Sequence, residues 1–380
     1  MAFKDYLMIP GPTPVPERIL AAMARQMIGH RGPVFKGIYK ECEEGIKWAH
    51  QTAGDIMFIA GSGTAGMEAS VANMFSPTDK VIVANIGNFG SRFVKICKAY
   101  GLNVIDYKVE RGKPADPAQI DKLLSENKDT KGLLFQQNET STAILNDCEA
   151  IAKVANKHGV LTIVDAISGL LTAPLKTDEW GLDVVISGSQ KAYMIPPGLA
   201  FVSVSQKAWK YYEASKCPKH YWDFGILKKE AVENGATYTT PPLTLFFALS
   251  EGLKMLKAEG FENILKRHEM NMRAMRSGVR AIGLKLFVDN DACASRAVTA
   301  IMPPEGIDGE KVRSEIRAFG VEVAPGQSEL KGKIFRIGHL GYIDKLDIVG
   351  VFAALELTLK KLGVKIDLGK GVTAAMKEFA

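Results

Sequence analysis

Between residues 55 and 205 short apolar runs alternate with longer stretches in which apolar positions recur every three or four residues. The runs are DIMFIA, KVIVANIG, NVIDYKV, GLLFQQ, VLTIVDA, DVVISG and LAFVSV, and they read as buried strands. Helices are expected over residues 64–75 and 89–100, after Asp116-Pro117, and from Asp147 to Gly159. Strands separated by helical crossovers predict an α/β fold with a largely parallel sheet covered on both faces.

The pattern changes near residue 206. Residues 216–240 show little periodicity, Pro241 opens a helix, and residues 261–282 predict a long amphipathic helix. Short strands follow at 296–302, 321–324 and 334–337, with helices at 308–319 and 344–362. That is an α+β pattern. The expected organisation is an N-terminal arm over 1–20, a large domain over 21–260 and a small C-terminal domain over 261–380. The arm, with Pro10, Pro12, Pro14 and Pro16, reads as an extended segment that needs a surface to lie on.

Composition narrows the class. Of 380 residues, 47% are hydrophobic and 24% charged, as in ordinary globular proteins. The net charge of +6 is spread without blocks, so neither nucleic acid nor membrane is an expected partner. Five cysteines, far apart and without a Cys-x-x-Cys, predict reduced thiols and a cytoplasmic protein. The six histidines do not pair at ligand spacing, so no metal is expected. The first residues lack a signal-peptide core, and no run reaches membrane-spanning length.

Gly61-Ser62-Gly63-Thr64-Ala65-Gly66 satisfies G-x-G-x-x-G between a strand and a helix, which raises a nucleotide-dependent oxidoreductase. That reading needs an acid at the end of the next strand, but the strand ends Val83-Ala84-Asn85. What survives is an anion cradle: free N–H groups at a helix start beside two hydroxyls. The bland alternative is a glycine-rich turn with a Thr cap. Asp165 ends an apolar strand, where an acid serves either as a helix cap or as a functional carboxylate. Lys191 follows in SGSQK, between two buried strands, where a charge needs a reason. Ligands of open parallel sheets gather at the strands' carboxyl ends. A phosphate cradle, an acid and an amine converging there are what pyridoxal 5′-phosphate requires.

Pro-Gly-Pro near the N-terminus, GSGT, NETST, VDA, SGSQK with PPG, and RIGHLG, in that order, resemble the class V aminotransferases. The alanine–glyoxylate and serine–pyruvate (serine–glyoxylate) subgroup is the nearest, and the likeness runs from about residue 8 to about 360. The resemblance implies fold-type I architecture, a homodimer with shared active sites, and ping-pong transfer of an amino group from a small amino acid to a 2-oxo acid. It implies Lys191 as the lysine bonded to the cofactor and Asp165 as partner of the ring nitrogen. It assigns Ser62, Gly63, Thr64 and Gln190 to the phosphate and Thr140 to a contact near the ring. Ile167 would pack on one ring face and Phe89 stack on the other, where the family often has tryptophan. Thr240, with Tyr238 beside it, would reach the neighbouring subunit's cofactor, and Arg336 would grip the substrate carboxylate. His30, Arg31 and His220 are open to shaping the pocket or the dimer contact, and for each packing weighs at least as much as ligand binding.

A pyridoxal-phosphate lyase of the cysteine desulfurase type shares much of this pattern. It needs a mobile cysteine shortly before the C-terminal arginine, and residues 324–335 contain none. A binding protein on an inherited fold remains a third reading, opposed by Lys191 and Asp165 standing together.

Overall fold

The structure, a computed structural model, describes residues 5–380. A seven-stranded sheet runs, in spatial order, Asp55–Ala60, Leu199–Val204, Val184–Gly188, Leu161–Asp165, Thr130–Gln136, Lys80–Asn85 and Asn103–Lys108. Leu199–Val204 is antiparallel to both neighbours, and the remaining pairings are parallel. Both faces are covered, so the central strands are apolar nearly throughout rather than alternating. On one face Gly63–Met74 and Asn88–Ala99 pack over Ile163, Ile186 and Val202. On the other, Pro33–His50 and Leu243–Glu259 close over Phe58, Phe201 and Phe246, with the Phe58 and Phe246 rings 5.2 Å apart. Gly66 shows why the glycine motif is there without a dinucleotide. A Cβ at Gly66 would come within 2.8 Å of Ile186, so its absence lets the helix sit directly on the sheet.

The second sheet takes its strands from both ends of the chain: Tyr6–Met8, Val321–Pro325, Phe335–Gly338, Val298–Met302 and Lys285–Leu286. The long helix Phe261–Ala281 agrees with the periodicity, and Asp308 and Asp344 cap the two helices expected after it. The arm has its surface. Tyr6 to Met8 pair in parallel with Val321 to Val323, and Thr13 then donates from its N–H to the Gln190 carbonyl at 3.2 Å.

Some boundaries differ. The helix expected from Pro241 starts at Leu243, because two consecutive prolines cannot enter it as hydrogen-bonded residues. Residues 216–240, read as aperiodic, contain the helix Phe224–Asn234. Its cap is strong, with the Asp223 carboxylate accepting from Gly225 and Ile226 N–H, and Gly235 ends it in the left-handed region. Only Phe224 is buried on it, which leaves almost no apolar period to detect. Among the described residues, no helix is long and apolar enough to cross a membrane.

Candidate active site

Strands ending at Ala60, Asn85, Gln136, Asp165 and Gly188 point the same way, so the loops that follow them meet at one edge of the sheet. A cavity of about 230 Å³ opens there, lined by Ser62, Gly63, Thr64, Phe89, Arg92, Asn138, Thr140, Asp165, Ile167, Ser168, Gln190 and Lys191. Nine of these twelve residues are ones the sequence singles out, from segments separated by as many as 129 positions.

Each is placed by local structure. Ser62 is the N-cap residue of Gly63–Met74, yet its side chain makes no capping bond. Thr64 lies inside the helix and not at its cap position, so a Thr cap does not account for the turn, and the first N–H groups of the helix are left without an intrahelical partner. The Thr64 hydroxyl accepts from Arg92 Nη1 at 2.7 Å. The Arg92 guanidinium lies over the Phe89 ring, 4.7 Å from its centroid. Thr140 and Ser168 share a hydroxyl–hydroxyl bond of 2.7 Å. Gln190 Oε1 and Asn138 Oδ1 are buried and have no partner among the described residues.

Asp165 accepts one hydrogen bond, from Ile167 N at 3.0 Å, and is otherwise buried. Burial pushes its carboxyl up to about 7, against that backbone bond. Burial pulls the Lys191 amine down to about 8, with Asp165 opposing and the Arg336 guanidinium assisting. A lysine so lowered has a substantial neutral fraction near neutral pH, which a nucleophile and proton acceptor needs. Its Nζ donates to the Pro10 carbonyl of the arm. Gly11, at φ +129, lies against the same side chain, and a Cβ there would come within 2.8 Å of Lys191 Cε.

Three predicted residues lie outside the cavity. Arg336 stands next to it: its Nε donates to Pro325 O at 2.9 Å and its Nη1 to Thr140 O at 2.8 Å. It is buried, not an exposed edge residue. Tyr238 belongs to a separate pocket of only about 20 Å³ with Tyr221, Trp222 and Pro241. Thr240 is not on the cavity of its own chain either. Arg31 pairs with Glu230 at 3.0 Å and donates to the Tyr238 carbonyl, and the His220 ring meets the Tyr238 ring edge-on. Reading the sequence misses Arg92, Asn138 and Ser168. Arg92 had a signal, standing three residues after Phe89 at a helix start and therefore on the same face.

The donor set fits pyridoxal phosphate. A helix N-terminus, unspent hydroxyls and Arg92 suit a dianion, Asp165 suits a protonated ring nitrogen, and Lys191 suits an aldehyde. No lining residue is a cysteine, so a cysteine desulfurase nucleophile has no counterpart here. Asn85, where a dinucleotide site would carry its acid, bonds Asp106 through its amide at 2.9 Å. The sequence profile of the class V aminotransferases matches residues 5–335.

The chain belongs to the class V aminotransferase family. This family is pyridoxal-phosphate dependent and of fold type I. The chain is 45% identical to a protein of Synechococcus sp. named soluble hydrogenase, small subunit, with 99% of each covered. It is 35% identical to a serine–glyoxylate aminotransferase of Methylorubrum extorquens, over 98% of this chain and 95% of the relative. The crystal structure of a ureidoglycine–glyoxylate aminotransferase from Bacillus subtilis superposes with a TM-score of 0.93 at 32% identity, covering 100% of this chain and 99% of that one. Among the described residues, no three His, Cys, Asp or Glu side chains group as a metal-holding set.

Proposed function

We propose that this class V aminotransferase moves the amino group of a small amino acid, alanine or serine, to glyoxylate or another 2-oxo acid by a ping-pong mechanism. The reading rests on one observation: Lys191, Asp165 and the Ser62–Gly63–Thr64 turn line a single buried cavity. The name of the Methylorubrum relative favours serine and glyoxylate, and the glyoxylate acceptor recurs in the name of the Bacillus protein. The same reading includes a cytoplasmic homodimer and the division into arm, large domain (21–260) and small domain (261–380).

The roles follow from chemistry. Ser62, Gly63, Thr64 and Gln190 would hold the phosphate, joined by Thr240 and Tyr238 of a second copy. Phe89 and Ile167 would flank the ring, and Thr140 would offer a hydroxyl at its edge. When bound, pyridoxal phosphate supplies an aldehyde that bonds amines and a ring that takes up the electron pair left at the substrate Cα. Asp165 holds the proton on the ring nitrogen. Lys191 Nζ would bond the aldehyde and, as a neutral amine, would serve as the base and acid for the proton at the substrate Cα. Arg336 keeps N–H groups beyond the two bound to carbonyls and would grip the substrate carboxylate with them. The arm excludes water on the Lys191 side.

Screening donors against glyoxylate, pyruvate and 2-oxoglutarate tests the substrates, with serine or alanine and glyoxylate expected to give the highest kcat/KM. Borohydride reduction tests the site: the near-ultraviolet to visible band should vanish and peptide mapping should find the pyridoxyl adduct on Lys191. An adduct elsewhere, or a protein that takes up no cofactor, overturns the reading.

A further inference from the structure

In NETST, Thr140 reaches the cavity and Glu139 does not, although Glu139 is an acid with no exposure at all. A buried carboxylate is costly unless donors surround it. Here four do. Oε2 accepts from the N–H groups of Phe89 at 2.9 Å and Gly90 at 3.2 Å, the first turn of Asn88–Ala99. Oε1 accepts from Ser141 N at 3.0 Å and Ser141 Oγ at 2.5 Å. The Ser141 hydroxyl in turn accepts from Asn88 N at 3.0 Å, so the two turns are tied twice. Gly87 permits the close approach, because a Cβ there would overlap the carboxylate.

What the clamp joins is specific. One end is the helix start that carries Phe89 and, three residues on, Arg92, both on the cavity wall. The other end is the turn that carries Thr140, whose hydroxyl faces the cavity and whose carbonyl holds Arg336. One side chain therefore fixes the spacing between the ring-stacking wall, the hydroxyl wall and the arginine behind it. Such spacing matters because bound geometry must hold to fractions of an ångström. Burial raises the Glu139 carboxyl above its ordinary range, and the four donors oppose that rise.

We infer that Glu139 is a positioning residue for the cofactor site, acting through Phe89 to set the gap in which the pyridine ring is held. This rests on the reading of the cavity as the pyridoxal-phosphate site, and uptake of the cofactor by the wild-type protein checks that reading separately. Glu139→Gln keeps the shape but turns an amide N–H₂ toward donors at one end of the clamp, which loosens the two walls relative to each other.

The test is a double-mutant cycle read as the Kd of pyridoxal phosphate for apo protein, well below its melting midpoint. Glu139→Gln and Phe89→Leu should each raise Kd by about tenfold, the worth of a charged hydrogen bond or a lost ring face. Because one acts through the other, the double variant should exceed the worse single variant by no more than about threefold. The circular-dichroism band of the bound cofactor should weaken in Glu139→Gln. A purely structural Glu139 would lower the melting midpoint and leave Kd and that band alone. Kd within about twofold of wild type, or single effects that multiply in full, overturns the inference. Should Glu139→Gln fail to fold, Ser141→Ala decides. It removes one strut of the same clamp, so a rise of about threefold supports the inference and an unchanged Kd sinks it.

Discussion

Two regions of this chain are assigned to one cofactor, and they are built in opposite ways. The segments that follow the strands ending at Gly188 and Asp165 are largely buried and pinned by the sheet, and with those strand ends they bring Gln190, Lys191, Asp165 and Ile167 into one cavity. The run from 216 to 242 rests on the outside. Tyr221 there is 49% exposed and Val232 73% exposed, and the carbonyl of Tyr238 is held by Arg31, itself half-exposed. Strand ends can complete a site within one chain, because the sheet fixes their spacing. A surface segment carrying Thr240 and Tyr238 can serve a cofactor only where another copy brings its own cavity to it.

The largest effect should come from the buried region. Asp165→Ala should retain part of the cofactor and lose about 10²–10⁴-fold in kcat, the range of a proton-holding group. Turnover near that of wild type would show that the strand-end acid is dispensable. Next is Arg336→Lys, which should keep fold and colour while lowering kcat/KM by about 10–100-fold, the loss of a charge-assisted bidentate grip. The rise in KM should fall on donor and acceptor alike, since both bring a carboxylate to the same place. Unchanged kinetics would return Arg336 to its two carbonyl bonds as a structural residue.

A smaller effect should appear in stability without cofactor. The Asp165 carboxyl sits at about 7 in the folded chain against 3.8 when free. Between those values the unfolded chain has already released the proton that the folded chain keeps. The folded state thus binds more protons, and its stability falls as pH rises across that window. The melting midpoint of cofactor-free Asp165→Asn should lack this loss, and parallel wild-type and variant curves would contradict it. The smallest effect belongs to the outer region. Thr240→Ala should raise the cofactor Kd by about threefold to tenfold, one hydrogen bond to a charged group. Dilution into monomers should erase the difference between variant and wild type. A protein that sediments as a monomer and transaminates at full rate would break the comparison outright.

The same contrast explains what could be read from the sequence. The switch from apolar run to helical period marks the carboxyl end of each strand, so Thr64, Asp165 and Lys191 are placed by pattern alone. The spacing from Phe89 puts Arg92 on the same helix face, but its bond to Thr64, 28 positions earlier, is not in the pattern, because one charge on an amphipathic helix reads as a solvated face. Glu139 is hidden likewise, since its donors are backbone N–H groups that no residue identity records. The helix Phe224–Asn234 escapes for the converse reason. Its start and stop signals are present, but a surface helix with one buried side chain lacks the period that gives them meaning.

The arm over Lys191 has a consequence for the order in which the molecule is made. Tyr6 leaves the ribosome about three hundred residues before its strand partner Val321, and Ile9 as long before the Gly338 backbone that lies against it. The sheet that carries Asp165 and Lys191 is complete at Val204, long before the arm has anything to pair with. From its own emergence until those strands form, the lysine is therefore uncovered on the side that Pro10 later occupies. The growing chain has an open seat for its cofactor, and the last strands to emerge close the door behind it.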